Sequence, residues 1–469
     1  MKSLVKGFAV SILLIYLNNC TAQNVSESPR NWGIDYKLTA EEKVFLDTLQ
    51  HRTFLYFWDE SNPANGLVKD RTREGAPASI AAVGFALPAW AIGVERGWIT
   101  RDQATERTLA ALRFFLSSEQ SVDSLVTGHQ GFYYHFLDMQ TGKRVWGCEL
   151  STIDTAWLLA GVRFAAQYFY RRSAEEEEIR TLADSMTFRV NWGWTTLPSS
   201  SRHPGAVAMG WRPEKGFTRH GWVGLNEGLY IYILAAGSGY PDAKAAYQEW
   251  LRHYRWEEPY RGLAHVIFPP LFGHQYSQMF VDFRGLVDDY MAGRGLDYFE
   301  NSRRATLTQR QYAIDNPMGW VGYDSLTWGL TACDGPGPEY NFDDKRFARY
   351  SARGSSGPEF IEADDGTIAP TAAGGSIVFA PEIVIPTLQA MYDRYGRQGL
   401  WGRHGFVDAF NPTVKWFDTD YLGIDQGPIL IMIENLRSGL VWKYCMRDPV
   451  IRKGLEVLGF RTRNNESPQ

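Results

Sequence analysis

Runs of helical periodicity follow one another along almost the whole chain, and no linker rich in Pro, Gly and Ser divides them. Apolar residues recur at three- and four-residue spacing near 40–60, 78–97, 102–118, 151–171, 174–190, 224–238, 241–254, 288–311, 381–395, 425–437 and 447–458. A helix with one apolar stripe has to bury it against a neighbour. Successive helices in an undivided chain therefore predict one array of helical hairpins. Strand patterns are scarce, and the best hairpin candidate is Gly131 to Arg144. The expected fold is mainly all-α, a single (α/α)6 barrel over residues 39–469 with long loops and minor β-hairpins. No 34-residue period supports a superhelical repeat array.

The start of the chain reads separately. Residues 1–22 carry Lys2 and Lys6, then an apolar segment from Phe8 to Leu17, the pattern of a signal peptide. Leu17-Asn18-Asn19-Cys20 loosely matches a lipoprotein box, so membrane attachment through a lipid on Cys20 and a soluble periplasmic form are both expected outcomes of export from a Gram-negative cell. Residues 23–38 are polar and read as a flexible tether. Thr39-Ala40-Glu41-Glu42 then has the N-cap and acidic first turn of a helix start. Beyond Cys20 only Cys148, Cys333 and Cys445 remain, widely spaced, which predicts neither a disulfide framework nor a zinc site.

Aromatic residues make up 14% of the chain, many of them beside Gly, His, Asp and Arg in the long loops 119–150, 191–223, 255–287, 312–380 and 396–424. Loops of such length are commonly functional. Rings next to planar polar groups suit carbohydrate, whose C–H faces lie on aromatic surfaces. A net charge of −5 argues against nucleic acid as a partner. No Walker loop, Gly-x-Ser-x-Gly elbow or HExxH motif supports nucleotide, serine-hydrolase or zinc-protease chemistry. The turn-rich stretches Gly335 to Tyr340 and Asp364-Asp365-Gly366 read as turns. No cofactor or metal is expected, and the protein is read as a monomer.

Carboxyl groups sit at three separate junctions between an aromatic loop and a helix. Glu227 follows Gly221-Trp222-Val223-Gly224-Leu225-Asn226. Its apolar surroundings would raise its pKa toward that of a general acid, while the bland alternative is a helix-start Glu that favours the helix dipole. Asp154 follows Glu149 and a cap at Ser151 or Thr152, and is either a buried partner or a pocket residue. Asp418, Asp420 and Asp425 form the third set, with Asp425 also a candidate N-cap. This arrangement fits glycoside hydrolysis, in which one carboxylic acid protonates the leaving oxygen and a second carboxylate activates water or attacks carbon. Candidate sugar contacts are His135, Glu149, His220, Arg403 and His404, with Trp146, Trp194 and Trp222 as stacking surfaces.

Gly131-Phe132-Tyr133-Tyr134-His135-Phe136, Glu149 to Thr155, Asn226-Glu227, and Ile424-Asp425-Gln426-Gly427-Pro428 with Met432-Ile433-Glu434-Asn435 resemble, in order, the bacterial glucoamylase-like proteins. Among these the chain is most similar to the secreted endo-β-1,2-glucanases of glycoside hydrolase family 144, over residues 40 to 460. The resemblance implies an (α/α)6 barrel with an acidic pocket that cuts β-1,2-glucan internally to short sophoro-oligosaccharides, with inversion and without a metal. It carries pocket roles onto Asp154, Glu227 and one or more of Asp418, Asp420 and Asp425. Three other readings stand beside it. They are a hydrolase of other linkage specificity, a polysaccharide lyase on the same barrel, and a surface glycan-binding lipoprotein without catalysis.

Overall fold

In this computed structural model the described residues are 32–463. The segment read as a signal peptide, Cys20 and the first part of the tether lie outside them. Trp32, Ile34, Tyr36 and Leu38 pack against the hydrophobic core, and the Ile34 N–H donates to the Leu436 carbonyl at 3.1 Å. Their apolar side chains fall at alternate positions, so this short segment ahead of Thr39 lies against the helices.

Two kinds of helix alternate along the chain. The amphipathic kind comprises α1 (Ala40–Asp59), α3 (Arg101–Ser117), α5 (Ala174–Phe188), α7 (Ala243–Arg252), α10 (Tyr298–Asp315) and α13 (Pro381–Tyr395). Between them run α2 (Ile80–Glu95), α4 (Thr152–Tyr168), α6 (Leu229–Gly237), α8 (Phe272–Phe280), α12 (Pro370–Gly374) and α14 (Gly423–Arg437), buried over almost their full length. A helix such as Leu-Tyr-Ile-Tyr-Ile-Leu-Ala-Ala-Gly in α6 has no polar face to offer water and must lie inside. The short helices α9 (Asp289–Arg294), α11 (Pro358–Glu362), α15 (Leu440–Cys445) and α16 (Pro449–Val457) complete the set among the described residues. The last buried helix, α14, packs against both α1 and α2.

Missing side chains allow the closest crossings. A Cβ on Gly161 of α4 would lie 2.0 Å from the Gly84 carbonyl oxygen of α2, and one on Gly237 of α6 would lie 2.0 Å from the Val450 oxygen of α16. Aromatic rings fill the space where the buried helices meet. The Trp157 indole stands 5.4 Å from the Tyr230 ring, 5.8 Å from Tyr276, and 6.2 Å from both Phe85 and Phe280. Burying such rings stabilises the fold by roughly 1.5–3 kcal/mol each.

Several boundaries differ from expectation. The run at 288–311 divides because Gly295, at φ +70°, ends α9 and Asp297 caps α10. The long loop 255–287 contains α8, and 312–380 contains α12. Helix α8 carries Gln275 and Gln278, which read as loop residues. Both are buried and their amide nitrogens bond across the fold, Gln275 Nε2 donating to the Ala372 carbonyl at 2.7 Å and Gln278 Nε2 to the Tyr298 carbonyl at 2.9 Å. The expected hairpin is also larger. Phe132–Tyr134 pairs with Gly128–His129 and Leu150–Ser151 in a five-stranded antiparallel sheet that continues through Gly210–Arg212 to Gly216–Phe217. Residues 141–144 close only a turn, with Leu137 bridged to Arg144.

Candidate active site

The central strand of the five-stranded sheet, Leu150–Ser151, ends at Ser151, which is the N-cap of α4 and accepts from the Asp154 N–H. Ser151, not Thr152, therefore caps. Its hydroxyl also donates to the Asp154 carboxylate, and Asp154 is buried. His135, at the adjoining strand edge, places Nε2 3.6 Å from Asp154 Oδ2 and Nδ1 3.0 Å from Glu149 Oε1. Arg212 Nη2 holds the other Glu149 oxygen at 2.9 Å. Burial opposes a charge on His135, but Asp154, Glu149 and Asp70 outweigh it and bring its pKa up to about 9. Burial likewise opposes ionisation of Glu149, and the His135 contact overrides it, lowering Glu149 to about 2. Asp154 thus sits at one end of a charged relay of His135, Glu149 and Arg212.

Glu227 lies one residue ahead of the Gly228 N-cap of α6, in a turn. Helix α6 starts at Leu229 instead of near Gly224, so Glu227 stands just ahead of the helix and not within its first turn. The turn is pinned by Asn226, whose Oδ1 accepts from the Gly228 N–H at 2.8 Å and whose Nδ2 donates to the Val223 carbonyl at 3.2 Å. The Ser277 hydroxyl of α8 donates to the Glu227 carbonyl at 3.1 Å. Backbone is fixed while one carboxyl oxygen is left without a partner: Oε2 is buried and has no hydrogen bond. Burial, with the nearby Asp154 charge adding to it, raises the Glu227 pKa to about 7.

The third junction is more extensive than its sequence suggests. Helix α14 is capped at Leu422, so Asp425 is its third residue and not its N-cap. The Asp425 carboxyl faces Asp408, and burial followed by that neighbouring charge drives its pKa upward. Burial raises Asp408 to about 7, so the two acids share a proton near neutrality. Asp408 Oδ2 accepts from the Asp334 N–H at 2.8 Å. Asp334, Asp418 and Asp420 can bring one carboxylate oxygen each within 4.8 Å of one another. Two guanidiniums meet that charge, with Arg71 Nη1 2.7 Å from Asp334 Oδ2 and Arg73 Nη2 2.6 Å from Asp420 Oδ2. Burial raises Asp418 to about 6, and its Oδ2 has no hydrogen-bond partner. Asp418 lines an open cavity of about 390 Å³ with Arg71, Arg73, Asp334, Tyr350 and Trp416.

Tyr276 of α8 ties the three junctions together. Its hydroxyl donates to the Ile424 carbonyl at 2.8 Å. Its pKa is driven up by burial and then by the charges of Asp425, Glu227 and Asp154, all of which reach it. Tyr276 and Asp408 were not singled out from the sequence. Tyr276 lay in a stretch read as loop. Asp408 had one signal, a lone acid in the otherwise apolar run Phe406-Val407-Asp408-Ala409-Phe410.

The remaining candidates divide by position. Trp146 is 71% exposed and its ring lies 5.2 Å from Phe136, which stacks on His135 at 3.8 Å. An aromatic row thus leads from the surface to Asp154. Trp194 packs with Trp211 and Phe217 in the same sheet region. Trp222 is buried, its Nε1 donating to Thr152 Oγ1 at 2.9 Å, so it braces the heads of α4 and α6. His220 is exposed on a separate cavity of about 790 Å³ with Arg202, Phe217 and Arg219. Arg403 pairs with Asp59 at 2.8 Å, and buried His404 lies 3.8 Å from Glu60, both at the end of α1. Asp364 accepts from the Tyr312 and Tyr323 hydroxyls, and Asp365 pairs with Arg353, which gives that turn a structural role. Cys148, Cys333 and Cys445 are buried and free.

Fold and site together define a mainly helical protein whose carboxyl groups gather at the heads of its buried helices. The comparisons place it more narrowly. A family model described as glycoamylase matches residues 219–449. A solved structure of a glucoamylase-like protein from Bacteroides uniformis is 35% identical, with a TM-score of 0.78 over 91% of this chain and 99% of that one. An endo-β-1,2-glucanase from Chitinophaga pinensis, solved with sophorotriose and glucose, is 28% identical, with a TM-score of 0.75 over 91% of this chain and 99% of that one. An exo-β-1,2-glucooligosaccharide sophorohydrolase from Parabacteroides distasonis is 30% identical over 90% of this chain, which spans 58% of that relative's length. The chain belongs to the glucoamylase-like family.

Proposed function

We propose that the protein hydrolyses β-1,2-glucan internally, releasing short sophoro-oligosaccharides, with Glu227 as general acid. The observation that carries this reading is the Glu227 carboxyl: a buried oxygen without a hydrogen-bond partner, a pKa raised to about 7, and a backbone fixed by Asn226 and Ser277. Such a group is protonated near neutrality and free to give its proton to a glycosidic oxygen. The linkage rests on the named activities of the Chitinophaga and Parabacteroides relatives.

The partner carboxylate is assigned to Asp418. It lines the open cavity, its Oδ2 is unpartnered, and a pKa of about 6 leaves it largely ionised when Glu227 is still protonated. In the inverting scheme Asp418 takes a proton from water as that water attacks the anomeric carbon, and Glu227 protonates the departing oxygen. Asp154, held by Ser151 and His135, keeps the Glu227 proton in place through its negative charge. The alternation of six amphipathic and six buried helices among the described residues, with α14 packed on α1 and α2, supports closure into an (α/α)6 barrel. Export through the N-terminal segment, with or without a lipid on Cys20, and a monomeric state belong to the same reading.

Purified protein is incubated with linear β-1,2-glucan, and the products are sized over time. A ladder of sophoro-oligosaccharides supports endo action, and no release from this glucan while another is cut sinks the linkage. Exo action is the second reading, favoured by the Parabacteroides relative, and would release one short product from the first minutes. Glu227→Gln should lower kcat by about 10²–10⁴ while binding persists. Unchanged turnover in that variant would remove Glu227 from the mechanism.

A further inference from the structure

Away from the carboxyl junctions, three metal-ligating side chains from two separate parts of the chain converge near the turn that carries Glu227. Glu249 and His253 are four residues apart, Glu249 in the last turns of α7 and His253 at its C-cap, so their side chains share one side of the helix end. His203 comes from the long segment between Trp194 and Trp222. Its ring centroid lies 4.8 Å from that of His253, at 84°. One ligand atom from each of the three lies within 4.8 Å of the other two.

The groups around this cluster suit a cation. His203 is buried, and its Nδ1 has no hydrogen-bond partner, a condition that costs roughly 1–3 kcal/mol in a folded protein. Glu249 Oε1 lies 3.2 Å from His253 Nε2, and Glu249 Oε2 accepts from Arg252 at 2.7 Å. Ligating carboxylates are commonly held by such an outer partner. His253 is exposed, which gives an ion a way in and leaves room for water as a fourth ligand. Zn²⁺ bonds of about 2.0–2.1 Å place tetrahedral ligands about 3.3 Å apart, a contraction that the exposed His253 side chain can supply.

We propose that His203, Glu249 and His253 bind a transition-metal dication with the preference of Zn²⁺, through a His₂Glu donor set completed by water. The ion fastens the 191–223 segment to the end of α7. The Gly224 N–H donates to the Trp250 carbonyl at 3.0 Å, so the turn carrying Glu227 rests on the same end of that helix. The site is a staple for the loop and takes no part in proton transfer at the sugar. On binding, the ion takes the place of the hydrogen bond between Glu249 and His253.

Untagged protein is dialysed against EDTA and titrated with Co²⁺, read by its visible absorption, and with Zn²⁺, read by calorimetry and thermal melting. One equivalent should bind, raise Tm, and give the absorption of a four-coordinate site. His253→Ala, an exposed change that leaves the core intact, and His203→Gln should each weaken binding at least about tenfold and abolish the Tm rise. Absence of stoichiometric binding to the wild type, or binding unchanged in His253→Ala, overturns the proposal. Neither readout uses glucan, so the result is independent of the hydrolytic reading.

Discussion

His135 Nε2 stands 3.6 Å from Asp154 Oδ2, and the opposite ring nitrogen meets Glu149, so one imidazolium spans two carboxylates at the head of α4. Replacing it removes the cation that contacts both. His135 rises from 6.5 to about 9 on folding, so its contribution is complete below about pH 6.5 and is lost as pH climbs through about 9. His135→Gln should therefore destabilise the protein by up to about 2–3 kcal/mol at pH 6, less whatever solvent screening removes from a partly exposed ring. Denaturation midpoints of the two proteins should approach each other above pH 9, and a gap constant across that range would contradict the assignment.

Glu227 carries the opposite consequence for stability. Its pKa is raised from 4.5 to about 7 in the fold, so holding it buried has no ionisation penalty below pH 4.5. The penalty grows between pH 4.5 and about 7 and then levels, reaching at most about 3 kcal/mol. Glu227→Gln should match the wild type in Tm at pH 4 and exceed it at pH 8, while being inactive at both. Equal melting at both values would mean that the carboxyl is better solvated than its unpartnered oxygen implies.

The rate should depend on pH as a narrow bell. Asp418 has to be ionised and Glu227 protonated, and their values of about 6 and about 7 place the two limbs one unit apart. Asp418→Asn should cut turnover by about 10²–10⁴, and azide should restore part of it if water activation is what was lost. In the measured kcat/KM profile, an alkaline limb well above pH 7 would argue for a different acid.

Packing gives a test that owes nothing to chemistry. Gly161→Ala sets a methyl 2.0 Å from the Gly84 carbonyl oxygen and forces α2 and α4 apart. A cost of about 3 kcal/mol or more is expected, at the upper end for overpacked cores. Gly293→Ala, where nothing lies within 4 Å of the added carbon, should hold or slightly raise Tm. Helix propensity favours Ala at both positions, so a Gly161→Ala variant that melts no lower than the wild type would show that the crossing is not the constraint.

Much of the architecture was legible because apolar periodicity is a local property. The α1 capping box, the fully apolar α6 and the polar outer face of α5 announce themselves within one or two turns. The acid set among rings at Glu227 and the cap at Ser151 ahead of Asp154 are local as well, and ordered family blocks added the kind of chemistry. Other features required the folded chain. Helix α8 is polar in sequence and buried in fact, since Gln275 and Gln278 find their partners about 97 and 20 residues away. The pairing of Asp408 with Asp425, the guanidiniums of Arg71 and Arg73 on Asp334 and Asp420, and the meeting of three charges at Tyr276 have the same origin. Which segments form helices is settled by contacts within a few residues. A carboxyl's proton affinity depends on the charges and dielectric around it, and those are assembled only when distant loops come together.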